Sequence, residues 1–432
     1  MRPSAARQRG AAALAVAMIL LLAMTIMAAF ENRGLVFEQR TSANQYRSTR
    51  AFELAEAGLE WAQALLNEGR HLDARCRPTE GQPTSFRDRY APMSADLGFV
   101  PVTTLRPGCS LGAEGLSCSC PAPGGPTALE GDDPSFTIEF AAVPGDPQSL
   151  RLTVRGCSSR GTQCVPGSGP GPSDATAVAQ IVLKLRPALR TLPVAALTAG
   201  GSATLDGWQL ANLDHATHGL AIDAGGDIVV TGNGALTTLP GSPVENALVK
   251  HDEALAGLAS ADATGDAFFA ALFGSDTARF ASAATTRRLS GCTAVSCGTA
   301  MLSAHAEGHT TFFVDGDLQL DAAGWPDGSV GSADRPLIVI VAGQLRFNGS
   351  FPAYGLLYAQ AADFSPGGDI DLQGALVARG SMAGSAAGRV MYSPEVLQRL
   401  RIGNGLLARV PGSWRDGRCA GNDPMQACSF NP

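Results

Sequence analysis

Residues 11–30 read AAALAVAMILLLAMTIMAAF, twenty positions with one polar side chain, Thr25. At ~1.5 Å of rise per residue the run makes a helix ~30 Å long, the thickness of a bilayer's hydrocarbon core. Arg2, Arg7 and Arg9 precede it, and residues 7–10 (RQRG) abut it directly. Positive charge on that side predicts a cytoplasmic N-terminus and a chain sent across the membrane behind it.

Three kinds of segment have this composition. A cleaved secretory signal needs a short apolar core and then small residues at the A-x-A positions. Here the run is too long, Ile26 and Met27 occupy the small-residue positions of cuts after Ala28 or Ala29, and Ala15-Val16-Ala17 comes too early. A plain anchor fits the length. The third kind is a prepilin leader, cut on the cytoplasmic side after a glycine in front of an apolar helix that is then retained. Residues 31–68 favour the third, because a helical pattern continues there with no flexible linker. Phe52, Ala55, Leu59, Ala62 and Leu66 form one apolar stripe, with Glu53, Glu56, Glu60, Gln63 and Asn67 in a polar line beside it. The pattern predicts one membrane-spanning and amphipathic helix over 11–70.

On Arg9-Gly10-Ala11-Ala12, the apolar run, Glu38-Gln39-Arg40, Ala43-Asn44, and Ala51-Phe52 followed by Ala55-Glu56-Ala57, the chain resembles the PilX-type minor pilins of type IV pili. The resemblance covers roughly the first 65 residues. It implies a leader at 1–10, processing between Gly10 and Ala11 by a prepilin peptidase, and methylation of the new N-terminus. It further implies a subunit held in the inner membrane and then in the pilus, partnered by the major pilin and other minor pilins. Similar subunits prime assembly at the filament tip and carry tip adhesins. Pilins generally have Phe or Met after the cut and Glu at the fifth position; here those positions are Ala11 and Ala15. PilX-type pilins lack that glutamate, and so do the K-type pseudopilins of type II secretion, which stand as the alternative.

The 432 residues leave room for two or three domains. A net charge of −7 without a basic block or basic-aromatic interleaving excludes a nucleic-acid binder. The ten cysteines all lie beyond the membrane segment, on its oxidising side. Close spacing suggests the pairs Cys157–Cys164, Cys292–Cys297 and Cys419–Cys428, with Cys76, Cys109, Cys118 and Cys120 left and their pairing open. Zinc is the weaker reading, since Cys118-Ser119-Cys120 is too tight for a knuckle and no second C-x-x-C follows.

An α+β chain is predicted. Residues 71–134, rich in Pro and Gly, read as a disulfide-stapled loop region. Period-two alternation at 136–140, 150–154 and 177–185, with a turn at 144–147, predicts an antiparallel sheet over 135–190 that covers the helix stripe. Residues 191–405 carry a Gly-x-apolar-x-apolar-x-Gly unit at 201–207, 226–232, 343–349 and 368–374, each pair offset by 25 residues. Such a repeat predicts a parallel β-solenoid, with a helical insertion at 245–290 facing a partner. Residues 337–341 are all aliphatic, as for a strand buried on both faces. A helix at 393–400 would cap an open edge, and 406–432 reads as an irregular tail.

No catalytic site is evident, and the chain reads as a structural, cofactor-free protein. His215/His218 and His305/His309 have ligand-like spacings but read as exposed loop residues. Asp206, Asp227, Asp315, Asp317 and Asp369, at the corners of the repeat, could collect Ca²⁺. A membrane-anchored solenoid that cleaves or binds carbohydrate is the rival from another class, and cleavage would need an acidic pair the repeat does not display.

Overall fold

A computed structural model describes residues 9–79, 84–94, 96–123, 133–159, 175–325, 328–361, 363–384, 388–419 and 428–430. Helix α1 (Arg9–Leu66) is continuous over 58 residues. It contains no proline, and at ~1.5 Å per residue it is ~87 Å long. The expected leader at 1–10 lies almost wholly outside the described residues.

The second half of α1 lies on an antiparallel sheet. Its central strands are β3 (Ser135–Val143), β4 (Asp146–Cys157) and β5 (Thr176–Arg186), paired β3–β4–β5. Alternate residues Phe136, Ile138 and Phe140, then Leu150, Leu152 and Val154, then Ala179, Ile181 and Leu183, point to one face. That face buries Leu54, Ala55, Leu59, Ala62 and Leu66 of α1. Phe52, expected in the same stripe, is only half-buried and meets Trp414 edge-on at 6.3 Å. Helix and sheet come closest at glycine: a Cβ on Gly156 would lie 2.1 Å from the Ala51 carbonyl oxygen.

Two expectations for this body need correction. Residues 71–134 are more than connection. They contain helix α2 (Phe86–Tyr90) and a hairpin of β1 (Gly108–Gly112) and β2 (Gly115–Ser119), with β1 paired to β3. These Gly- and Ser-rich strands have little propensity of their own and are stapled by Cys109–Cys118, directly opposite in register. Nor are the described residues of 406–432 an irregular tail. Strands Leu406–Arg409 and Arg415–Cys419 return to pair with β5. At four and five residues they are too short for alternation to reveal.

The second body is a stack of short strands, paired only in parallel among the described residues. Residues 203–206 lie beside 228–231, and 311–314 beside 338–341. Every residue of the strand Leu337–Val341 is buried. Leu337, Val339 and Val341 fill the inner core, while Ile338 and Ile340 face outward beneath helices.

Stacking does not follow chain order. From one end the turns run 287–289, 311–314, 337–341, 351–359, 370–378, 197–199, 222–224 and 248–249. The first turn in sequence therefore sits on the last long one, Leu197 opposite Leu376. The 25-residue offset holds between Gly201 and Gly226, whose backbones are bonded. It does not hold between the glycines at 343 and 368. There Gly355 lies opposite Gly374, nineteen residues on, and Gly343 bonds back to Gly316.

The insertion carries the chain from one end of this stack to the other. It holds α3 (Glu253–Ser260), α4 (Asp266–Phe273), α5 (Thr277–Ala281) and α6 (Ala294–Ala306). The helical insertion expected at 245–290 has its first α-helix at Glu253, after the short strand Leu248–Val249, and its last, α6, runs on to Ala306. Phe268, Phe269 and Phe273 of α4 pack on Tyr358, on the sheet's outer face. Helix α6 lies over the end of the stack, where Cys297, Met301 and Ala304 close the inner core beside Leu318 and Leu320. The expected cap at 393–400 is instead α7 (Pro394–Gly403), whose Leu397 and Leu400 sit on the outer face with Leu356 and Val377.

Candidate functional site

The exposed half of α1 is the feature the rest of the fold leaves unexplained. Among its described side chains every one from 13 to 46 is exposed, and burial begins in earnest at Ala51. At ~1.5 Å per residue this is an arm of ~50 Å. Leu14, Val16, Ile19, Leu20, Leu21 and Leu22 are each more than half exposed, and successive ~100° steps spread them around every side of the helix. The one hydroxyl in the apolar run is satisfied locally, Thr25 Oγ1 donating to the Leu22 carbonyl at 2.8 Å. Gly10 and Ala11, the expected processing site, lie in the first turns of α1. The first carboxylate along the helix is Glu31, sixteen residues past Ala15.

At the opposite, C-terminal end of α1, charged and amide side chains lock the helix to both bodies. Arg87 of α2 is buried and donates from Nε to the Leu66 carbonyl at 2.8 Å and from Nη1 to the Gly403 carbonyl at 3.0 Å. One guanidinium thus serves the C-terminal ends of α1 and α7, where cations are favoured. Burial lowers its pKa to about 10, so it stays protonated at neutral pH. Asn67 accepts from the Leu407 N–H at 2.7 Å and donates to the Leu407 carbonyl at 3.0 Å. Arg409 bonds Gln63 at 2.7 Å and pairs with Glu60. Three members of the polar line on α1 are therefore read by the returning C-terminal strand. On the other side Arg335 Nη1 donates to His71 Nε2 at 2.8 Å, while the His71 N–H donates to the Glu307 carbonyl at 2.8 Å. Burial, and then the Arg335 charge, push the His71 pKa down to about 4, so the ring is neutral. A cavity of about 140 Å³ opens at this junction, lined by Asn67, Glu68, Arg87, His309, Arg335 and Asn404 among others.

The cysteines staple these parts. Cys76–Cys120 and Cys109–Cys118 are disulfides in the first body, and Cys292–Cys297 is one at the start of α6. Cys157 is disulfide-bonded, and its expected partner Cys164 lies outside the described residues. Strand register puts the Cys419 and Cys428 backbones opposite each other. Among the described residues no three His, Cys, Asp or Glu side chains gather as a metal site. The corner aspartates are used along the stack: Asp206 accepts from Thr231, Asp227 meets His251, Asp315 pairs with Arg288, and Asp317 accepts from the Gln344 N–H. Asp369 is exposed.

His215 and His218 are exposed, as expected. His305 and His309 are not exposed loop residues. His305 lies in α6 with its ring 5.2 Å from Trp325, and His309 is buried. Sequence reasoning missed Arg87, the His71–Arg335 contact and the role of the C-terminal strands, because each joins residues hundreds of positions apart. A buried arginine carries no periodic signal that would have revealed it.

The comparisons with known proteins bear on the arm. The family model described as PilX N-terminal matches residues 9–60, the arm and most of the buried half of α1. The chain thus carries the PilX-type N-terminal segment that its residues suggested. Among solved structures, the competence-associated pilin ComZ from Thermus thermophilus is similar at 12% identity, over 86% of this chain and 97% of that one, with a TM-score of 0.23. A search of the curated proteins finds no significant match.

Proposed function

We propose that the chain is a structural minor pilin of a type IV pilus. Cut between Gly10 and Ala11, it is held in the inner membrane by the arm of α1, N-terminus cytoplasmic, and then passes into a filament. One observation carries this reading. A single unbroken helix is apolar and uncovered over its first half and sunk into an antiparallel sheet over its second, at the residues that match the PilX N-terminal model. Arms of this kind, packed side by side, would make an apolar filament core, and the sheet would remain outside as a headgroup. No chemistry is asked of the chain, and its role is assembly.

Position in the filament follows from Ala15. Inside an apolar core the N-terminal amine of a neighbouring subunit needs a carboxylate, and an unpaired buried charge costs several kcal/mol. This chain offers no acid before Glu31, which suits a subunit at the filament's end, where one such contact is absent. The second body, read as a β-solenoid, supports the same placement: its bulk is unhindered at a tip and awkward in a wound shaft. There it would prime assembly with other minor pilins and present an adhesive surface. Immunogold labelling against residues 197–392 tests the reading. One or few gold particles at filament ends are expected; label spread along the shaft, or absent from pili, contradicts it.

A further inference from the structure

The outer face of the large parallel sheet carries one column of in-register side chains: Phe313, Ile340, Tyr358 and Val377, then Thr198 and Asp223. The first four are apolar or aromatic and buried beneath helices. Thr198 and Asp223 break the column, although they are only 8% and 7% exposed. Neither Thr198 Oγ1 nor Asp223 Oδ1 has a hydrogen-bond partner. A buried polar atom left unpaired destabilises a fold, and valine at either position would simply continue the column. Such breaks of local pattern without local compensation mark functional positions.

Both residues line one cavity of about 180 Å³. It lies where the chain enters the second body, walled by Leu192, Val194, Leu255, Leu258, Phe268 and Leu272. The pocket therefore combines an apolar wall with two oxygen-bearing side chains on neighbouring strands, one of them a carboxyl group. Asp252 is the other acid whose field reaches Asp223. It is already engaged by the Ala254 and Leu255 N–H groups at the start of α3. Burial, and then Asp252, push the Asp223 carboxyl up to about 6, the behaviour of an acid that lacks a cation.

We propose that this cavity binds a small primary amine, its ammonium held between Asp223 and Thr198 and its compact apolar body against Leu255, Leu258 and Phe268. An ammonium donates in three directions and can engage both oxygens, while the walls exclude a second charged group. The site goes beyond the pilin reading and does not depend on it.

Saturation-transfer NMR on the full-length, detergent-solubilised protein tests this with benzylamine, benzyl alcohol and benzoate as probes. Benzylamine is expected to bind saturably, benzyl alcohol about tenfold more weakly, as a charge-assisted contact requires, and benzoate not at all. Asp223→Asn, nearly isosteric, should cost benzylamine about tenfold and leave benzyl alcohol unchanged. Asp223→Val should abolish amine binding while raising the melting temperature of the second body, because it completes the apolar column. Equal binding of amine and alcohol, the absence of saturable amine binding, or an Asp223→Asn variant that binds as before would overturn the proposal. A lower melting temperature in Asp223→Val with amine binding retained would also overturn it, assigning Asp223 a structural role.

Discussion

Replacing Gly156 with alanine puts a methyl group where α1 meets its sheet. The new Cβ would lie 2.1 Å from the Ala51 carbonyl oxygen and 2.6 Å from the Ala55 backbone nitrogen. Both are backbone atoms of a helix whose neighbouring side chains are fully packed, so no side chain can swing aside. Relief requires α1 to lift by about 1 Å, and a gap of that size forfeits up to half of each dispersion contact it opens. Overpacking of a core costs about 1–3 kcal/mol, and the stiffer unfolded chain returns about 0.4–1 kcal/mol. A net loss of about 1–2 kcal/mol is expected. Gly257→Ala in α3 is the control. Nothing lies within 4 Å of its added Cβ, so removing glycine from a helix interior should stabilise by about 0.5–1 kcal/mol. Hydrogen exchange of β3, β4 and β5 peptides in the full-length protein reads the first effect as lost protection. Gly156→Ala indistinguishable from wild type, or matching Gly257→Ala, would refute the packing of α1 on the sheet.

Cys76 and Cys120 are 44 residues apart and Cys292 and Cys297 five apart. Replacing each pair by serine should therefore cost about 4 and about 2 kcal/mol respectively by loop-closure entropy, read by chemical denaturation. Arg87→Met strands the Leu66 and Gly403 carbonyls and should cost about 3 kcal/mol in the same assay, with Arg87→Lys recovering only part. The contact between the two bodies should weaken in acid. His71 has a folded pKa of about 4, below the ~6.5 of an unfolded histidine. The unfolded state then binds more protons, and His71's contribution, complete above pH ~6.5, falls away toward pH ~4. His71→Gln should flatten that slope in thermal melts taken across the window. Asp223, with its raised pKa, contributes a slope of the opposite sign, so the variant must be compared with wild type at each pH.

Local pattern made some of this fold readable. The 3.6-residue stripe placed Ala55, Leu59, Ala62 and Leu66 on one buried face, and alternation located β3 to β5, because burial on one side leaves a period in the sequence. Gly201 and Gly226 are backbone neighbours at the spacing their repeat suggests. The stacking of Leu197 on Leu376 has no such trace. Nothing periodic links residues 179 positions apart, and the chain reaches that contact only after α3 to α6 carry it to the far end of the stack. The return of Leu406–Arg409 to β5 left no trace either, because four residues are too few to show alternation and their partner lies over 200 positions away. At the candidate site the apolar arm was legible as composition. Arg87, Asn67 and Arg409 were not, since what selects them is the unsatisfied end of a helix and a polar line meeting a distant strand.

Whether the chain is a pilin is decided at Gly10. Co-expression with a prepilin peptidase, followed by N-terminal sequencing of the membrane-held protein, addresses it directly. A chain beginning at Ala11, ten residues shorter than the translated one, is the predicted result. A chain still beginning at Met1 in the presence of active peptidase, or one cut beyond Ala29, would contradict the pilin reading.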